Sequence, residues 1–407
     1  MKYFILVCDG MADWAIPSLN NMTPMEAADK SEMDRLCNKS VCGMMSNVPY
    51  GMVPESDTAN LAVLSYDPKI YSKGRSPLEA VSMGIKLTDS DTAIRCNLVT
   101  LSDDGGEYDD KIIIDHSADE ITTEEADELV ITLNENLSFP GENLRLHTGI
   151  SYRHCLIWEN ISDTYSFMRP HDILDQPIKG YLPSENDGED GGKFYKFMRD
   201  SWNILNNHPI NVNRRSRGLK PANSAWLWSP GKRPALPSFS EKWGIKGSVI
   251  SAVDLIKGIG MCAEMDVIYV EGATGNFHTN YVGKAAAAIK AFADGSDFVF
   301  LHVEAPDECG HRGETDNKVK SIELIDRQIL TPVLEYLRQC GEDFKVAVLP
   351  DHPTPVAIRT HTSAPVPFFI YSSSDEKAGI EKFTEKECEK TGFYISDGSR
   401  FLSHIIT

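Results

Sequence analysis

The sequence predicts an α/β fold: a doubly wound, mainly parallel sheet with helices on both faces, carrying a smaller inserted α+β domain. Three observations carry this. Short apolar runs occur at both ends of the chain, and each stops at an acidic loop. Segments of helical period separate those in the C-terminal half. The middle of the chain follows a different pattern.

The first run is Lys2-Tyr-Phe-Ile-Leu-Val-Cys8, ending at Asp9-Gly10. The same grammar returns in Asp266-Val-Ile-Tyr-Val270 before Glu271-Gly272, and in Asp297-Phe-Val-Phe-Leu-His-Val303 before Glu304-Ala-Pro-Asp307. It returns again in Phe344-Lys-Val-Ala-Val-Leu349 before Pro350-Asp351-His352. Continuous apolar strands mark a sheet covered on both faces. Between them, residues 281–293 are alanine-rich with high helix propensity. Residues 318–339 place Ile322, Ile325, Ile329, Val333 and Leu337 on one helical stripe, with Glu323 and Arg327 four apart on the outer face.

In the middle, residues 102–110 read as an acidic turn and 119–137 as an acidic helix opening at Thr122 or Thr123. Residues 183–192 read as an exposed loop, and three prolines within 229–240 close the region. The expected organisation is a discontinuous core of residues 1–85 and 240–407, with 86–239 inserted. A chain of 407 residues is also too long for one ordinary domain of ~100–200 residues.

Composition narrows the function. At 41% hydrophobic and 25% charged, the chain is a soluble globular protein rather than a disordered one. Acids outnumber bases 60 to 40, a net charge of −20, which argues against a nucleic-acid surface. The run Tyr3–Cys8 is far short of the ~20 residues of a membrane span and lacks a leader's cleavage site. Nine scattered cysteines without a C-x-x-C pair suit a reducing cytoplasm and no thiolate framework.

Ligands of open α/β sheets collect beyond the carboxyl ends of the strands. Three strand ends here deliver metal-binding side chains: Asp9, Asp307 and the pair Asp351-His352. His311 follows Asp307 by four residues, and His361 follows Asp351 by ten. Mixed carboxylate and imidazole donors suit zinc, manganese or a similar divalent ion. Six side chains exceed one tetrahedral site, so two ions ~3.5–4 Å apart are expected, an arrangement that clamps both oxygens of a phosphoryl displacement. Each residue alone has a plainer reading, since an Asp after a strand is usually a helix cap.

Ser56 opens a helix in Pro54-Glu55-Ser56-Asp57-Thr58-Ala59-Asn60-Leu61. Two readings stand side by side: an N-cap, or a nucleophile activated by a metal ion, with the helix N-terminus holding a phosphate. There is no Walker loop, no third glycine after Gly258-Ile-Gly260, and no Gly-x-Ser-x-Gly elbow.

Val7-Cys8-Asp9-Gly10-Met11-Ala12-Asp13, Glu55-Ser56-Asp57-Thr58-Ala59, Pro306-Asp307-Glu308-Cys309-Gly310-His311 and Pro350-Asp351-His352-Pro353-Thr354-Pro355 together resemble the archaeal-type 2,3-bisphosphoglycerate-independent phosphoglycerate mutases of the alkaline phosphatase superfamily. Ala93-Ile-Arg95-Cys-Asn-Leu98, Gly149-Ile-Ser-Tyr-Arg153-His154 and Lys246–Gly258 agree, so the resemblance runs over nearly the whole chain. It implies an alkaline-phosphatase-like core with a substrate-covering lid. Asp9, Ser56, Asp351 and His352 hold one metal ion, with Ser56 also the nucleophile. Asp307, His311 and His361 hold the other. Manganese is the expected ion, with magnesium, zinc or cobalt as alternatives, and 2,3-bisphosphoglycerate is not needed.

The implied reaction passes a phosphoryl group from 3-phosphoglycerate to the serine and back to the 2-oxygen of the retained glycerate. Such a substrate needs cations around it. The candidates are Arg95, Arg153, Arg169, His171, Lys232, Arg233 and Lys246; Arg153 and Lys246 rank first because they sit inside motif-like stretches, and Lys246 is expected to be catalytic. For any one of them the plainer reading is a surface ion pair. Arg214, Arg215 and Arg217 form a basic cluster without an assigned role. Trp226–Gly231, Asp115–Ile121 and Arg169–Asp172 depart from the family pattern, all within the insertion. The rival readings are a homoserine kinase-like phosphotransferase and a metal-dependent phosphatase of the same superfamily.

Overall fold

The computed structural model describes residues 1–184, 186 and 188–406. Of the loop expected over 183–192, Glu185 and Asp187 lie outside the described residues, as does Thr407 at the end of the core. The chain forms two compact units: Met1–Ser72 with Ala235–Thr407, and Lys73–Pro234. The second unit starts ahead of residue 86 because helix Ser76–Ser82 packs on its sheet.

Among the described residues the strands are, in chain order, β1 (Lys2–Cys8), β2 (Ser40–Met45), β3 (Asp91–Leu101), β4 (Ile113–Asp115), β5 (Leu144–His147), β6 (Arg153–Glu159), β7 (Ser224–Lys232), β8 (Gly247–Ile250), β9 (Asp266–Ile268), β10 (Phe298–Val303), β11 (Phe344–Leu349), β12 (Val366–Ser372) and β13 (Tyr394–Ile395). The first unit holds an eight-stranded sheet in the order β13-β2-β12-β11-β1-β10-β8-β9. From β11 to β9 the strands are parallel, while β12 is antiparallel to both of its neighbours.

Every residue of β1 and β10 is buried, as continuous apolar runs require. The expected strand at 266–270 is shorter: β9 stops at Ile268 on the sheet edge and is half-exposed. The helical stripe of 318–339 spans helix Thr315–Ile325, a π-turn at Asp326–Leu330 and helix Thr331–Gln339. Ile322, Ile325, Ile329, Val333 and Leu337 are all fully buried. The π-turn separates Glu323 from Arg327. Glu323 accepts from the Asp29 amide at 3.1 Å, and Arg327 pairs with the Asp29 carboxylate at 2.7 Å.

In the second unit β3 is central, flanked by β6 and β7, with β4 and β5 outside. Strand alternation sends Ile94, Cys96 and Leu98 into a core with Trp158, Trp226, Phe194 and Phe197. Arg95 and Asn97 point to the other face. Thr122 caps helix Thr123–Asn136 by accepting from the Glu125 amide. Among the described residues no helix is long and apolar enough to cross a membrane.

Candidate metal centre

Register brings the acidic loops together. Cys8 of β1 lies opposite Val303 of β10, and Val7 lies opposite Leu349 of β11. The next residues of all three chains leave the same sheet edge, so Asp9, Glu304 and Asp351 emerge side by side. Helix Ala305–Arg312 then sets Asp307 and His311 one turn apart on one face. Gly10 permits the close approach. It adopts φ +63°, and a Cβ there would lie 2.6 Å from both Asp307 Cα and Thr354 Oγ1.

Three three-residue groups result, one of them Asp9, Glu304 and Asp307. Asp9, Asp351 and His352 offer donor atoms within 4.8 Å of one another, and so do Asp307, His311 and His361. His352 Nε2 lies 3.5 Å from Asp9 Oδ1 and 3.5 Å from Asp351 Oδ2. His311 Nε2 lies 3.2 Å from Asp307 Oδ2, and His361 Nε2 lies 3.3 Å from Asp307 Oδ1. The His352 and His361 rings stack at 3.9 Å and join the groups.

Ser56 is the first residue of helix Ser56–Val63, and Glu55 occupies the N-cap. The serine therefore does not cap the helix. Its Oγ instead lies 3.2 Å from His352 Nε2. Seven residues expected from the sequence, Asp9, Ser56, Asp307, His311, Asp351, His352 and His361, thus meet in one place.

The donor set fits divalent ions. His311 Nδ1 faces the Arg359 carbonyl at 3.0 Å, and His361 Nδ1 faces the Pro54 carbonyl at 2.7 Å. Both Nδ1 atoms therefore carry hydrogen, and both Nε2 lone pairs converge 2.8 Å apart. Only a cation or a shared proton relieves that convergence. Asp9 Oδ1 is buried without a hydrogen-bond partner. Burial, then the Asp351 and Asp307 carboxylates, push the Asp9 carboxyl well above its ordinary range. Asp307 goes the other way: burial opposes ionisation, but His311 and His361 hold its carboxyl low.

The hydrogen bond with Asp307 raises His311 to about 9. A metal ion must displace that proton, since ligand histidines are neutral. Mn2+ affinity is therefore expected to rise about tenfold per pH unit for each proton released, up to pH ~9, and to level off above. Calorimetric titration in buffers of different ionisation enthalpy counts the protons. Affinity flat between pH 6 and 8 contradicts the ligand assignment.

The sequence did not flag the residues packed around these side chains. Asn60, one turn after Ser56, donates to the Ser56 carbonyl at 2.9 Å and to Asp351 Oδ2 at 2.7 Å. Thr354 donates to Asp307 Oδ1. His302, fully buried in β10, places Nε2 3.0 Å from Asp9 Oδ2 and Nδ1 3.2 Å from Ser251 Oγ. Burial lowers His302 to about 4, so its ring is neutral.

Lys246 is a correction. It precedes β8, whose register with β10 starts at Gly247 opposite Phe298. That is the amino edge of the parallel sheet, roughly 20 Å along the strands from Asp307 at ~3.3 Å per residue. Its ammonium pairs with Asp266 at 2.9 Å on the surface.

The second unit carries the anion-binding candidates. Arg95 stacks 4.1 Å over the Trp228 ring, and its Nε lies 3.3 Å from Glu79 Oε2. Burial, and the Arg75 and Arg153 charges, pull it below the usual guanidinium range despite Glu79. His171 lies 5.7 Å from Trp228 and 6.0 Å from His116, which the sequence reading did not single out as a cation. Burial pulls His171 below the usual imidazole range, and Arg153 lies over Tyr152. Arg95, His171 and Arg153 are thus linked through Trp228, His116 and Tyr152, and Arg169 lies two residues before His171. Lys232 does not join them. It pairs with Thr92 in the β3–β7 register, while Trp228 pairs with Arg95, and its Nζ reaches the Asp89 carbonyl. Exposed Arg233 follows at that same end.

A model of the 2,3-bisphosphoglycerate-independent phosphoglycerate mutases matches residues 37–211. The enzyme of that name from Methanothrix thermoacetophila is 42% identical over 406 residues, covering 100% of both chains. The chain belongs to the 2,3-bisphosphoglycerate-independent phosphoglycerate mutase family. Solved relatives agree. A protein from Pyrococcus horikoshii is 28% identical, with a TM-score of 0.82 over 100% of this chain and 96% of its own. The cofactor-independent phosphoglycerate mutase of Thermoplasma acidophilum is 26% identical, with a TM-score of 0.70 over 100% of this chain and 99% of its own. The mutase family therefore matches both units, including the three stretches that depart from its sequence pattern.

Proposed function

We propose that the chain is an isomerase that interconverts 3-phosphoglycerate and 2-phosphoglycerate through phospho-Ser56, without 2,3-bisphosphoglycerate. One observation carries this reading: Ser56 Oγ lies 3.2 Å from His352 Nε2, where two metal-binding groups meet. Asp9, Ser56, Asp351 and His352 hold one divalent ion, and Asp307, His311 and His361 the other, with manganese the working choice. Bound ions supply positive charge to the phosphoryl oxygens and make the serine hydroxyl more acidic.

Ser56 Oγ gives up its proton and forms the new bond to phosphorus as the bond to the substrate's 3-oxygen breaks, and the 3-oxygen takes up a proton. The 2-oxygen of the same glycerate then gives up its proton and bonds to phosphorus as the Ser56 Oγ–phosphorus bond breaks, and Ser56 Oγ regains a proton. Asn60 holds the Ser56 backbone and Asp351 in place throughout. Residues 73–234 act as the substrate-covering part, with Arg95, Arg153, Arg169 and His171 as the anion-binding patch. Retained glycerate and excluded water separate a mutase from a phosphatase.

The test is one assay on manganese-loaded protein with 3-phosphoglycerate and no nucleotide. Product is followed through enolase, and free phosphate is counted in the same tube. Product without phosphate supports the mutase. Phosphate alone identifies a phosphatase, and neither product moves the reading to a homoserine kinase-like phosphotransferase. Arg95→Gln is expected to raise KM for 3-phosphoglycerate ~10-fold or more, the worth of one charge-assisted hydrogen bond. Lys232→Gln is expected to leave KM within about twofold, since exposed charges contribute little. Equal effects of the two variants contradict the patch.

A further inference from the structure

We propose a second ligand site in the first unit: the cavity lined by Trp14, Phe393 and Tyr394, with Glu385 and Glu389 in its wall, takes a small organic cation that carries an apolar body. No metal-binding candidate lines it, so the site does not rest on the two-ion reading.

The cavity measures about 550 Å3, within the ~300–1,000 Å3 of small-molecule sites. Its walls come from the loop behind Asp9, from Pro353 behind His352, and from the segment that follows helix Glu385–Lys390. Trp14 is 48% exposed, Phe393 37% and Tyr394 50%. A single exposed ring needs no explanation, but three around one cavity mark a place where something docks.

Charge identifies the occupant. Asp13, Glu385 and Glu389 line the cavity, and among the described residues no lysine, arginine or histidine does. Asp13 is already balanced by Lys318, whose Nζ lies 2.8 Å from its Oδ2. Glu385 ties the wall together: its Oε1 accepts from the Asp13 amide at 3.1 Å and its Oε2 from the Thr23 hydroxyl at 2.8 Å. Both donors are neutral, so they leave its charge uncompensated. Glu389 is exposed, and its carboxylate makes no hydrogen bond or ion pair among the described residues. Two uncompensated carboxylates beside aromatic rings suit a cation, held by Coulomb attraction and by the rings. An anion would meet only like charge there, and a neutral ligand would gain nothing from the carboxylates.

The probe is benzyltrimethylammonium chloride, which carries a fixed charge and an aryl ring but no atom that can ligate a metal. Titrated calorimetrically into the full-length chain, it is expected to bind with a Kd on the order of 1 mM or tighter. Benzyl alcohol, the neutral control, is expected to bind ~10-fold more weakly or worse. Trp14→Ala is expected to weaken the probe ~10-fold and Glu389→Gln ~3-fold. Both side chains are open to solvent, so both variants should fold. Excess Mn2+ should leave the Kd within about twofold, because the cavity lies apart from the metal-binding groups. Benzyl alcohol that binds as tightly as the probe overturns the charge assignment, and with it the proposal. So does unchanged affinity in either variant. Probe binding that Mn2+ abolishes places the probe at the metal centre and overturns the second site, as does no binding up to ~20 mM.

Discussion

Ser56→Ala is expected to abolish phosphoryl transfer, with turnover down at least ~10³-fold, because the nucleophile of a covalent route has no substitute. The fold should not notice. Ser56 is not the helix cap, and its hydroxyl is hydrogen-bonded with His352 Nε2 at 3.2 Å. Unfolding free energy should therefore stay within ~0.5 kcal/mol of the parent, as for substitutions outside the core. The enolase-coupled assay checks turnover, and mass spectrometry of a quenched reaction checks for a phosphoryl adduct of Ser56 in the parent alone. Retained turnover in the variant ends the nucleophile assignment. Lys246→Ala is the matched control. Its ammonium pairs with Asp266 at the opposite sheet edge, so turnover should be unchanged.

These two residues show where sequence reasoning reaches. Asp9, Asp307 and Asp351 were legible because each ends an apolar run, and a parallel sheet collects such ends at one edge. Their histidines were legible by spacing from them. Lys246 failed for the same geometric reason. It lies in a motif-like stretch but at the start of β8, and a parallel strand carries its first residue away from the site by its whole length. Motif membership did not record which end of the strand the residue occupies.

The supporting residues were hidden differently. His302 reads as the tail of an apolar strand. Its meaning depends on β1 lying beside β10 in one register. No spacing within a single segment encodes that. The anion patch was half legible. Arg95, Arg153 and His171 come from three separate segments of the second unit and are still linked through Trp228, His116 and Tyr152, whereas Lys232 was drawn in by composition alone. The π-turn at Asp326–Leu330 left no trace in the apolar stripe, since all five stripe residues remain buried across it.

Lys318 carries the other large expected effect. Its side chain and that of Asp13 are both fully buried, with Nζ 2.8 Å from Asp13 Oδ2 and 2.8 Å from the Thr354 carbonyl. Asp13 also accepts from the amides of Trp14 at 2.7 Å and Val356 at 3.1 Å. The pair therefore ties helix Thr315–Ile325 to the loop behind Asp9 and to the loop behind His352. Lys318→Met leaves the Asp13 carboxylate buried without its cation. The expected cost is about 3–5 kcal/mol, a large share of the ~5–15 kcal/mol that holds a typical fold. Asp13→Asn added to Lys318→Met removes the stranded charge and should recover part of the loss, because the penalty lies in the unpaired ion rather than in the missing contact. Urea unfolding with chelator present measures both variants free of metal linkage. Mn2+ titration of the double variant then separates stability from geometry. If the strut also positions the ligand loops, metal binding stays weak even after stability recovers. A single variant that unfolds like the parent would mean that water, not Lys318, balances Asp13.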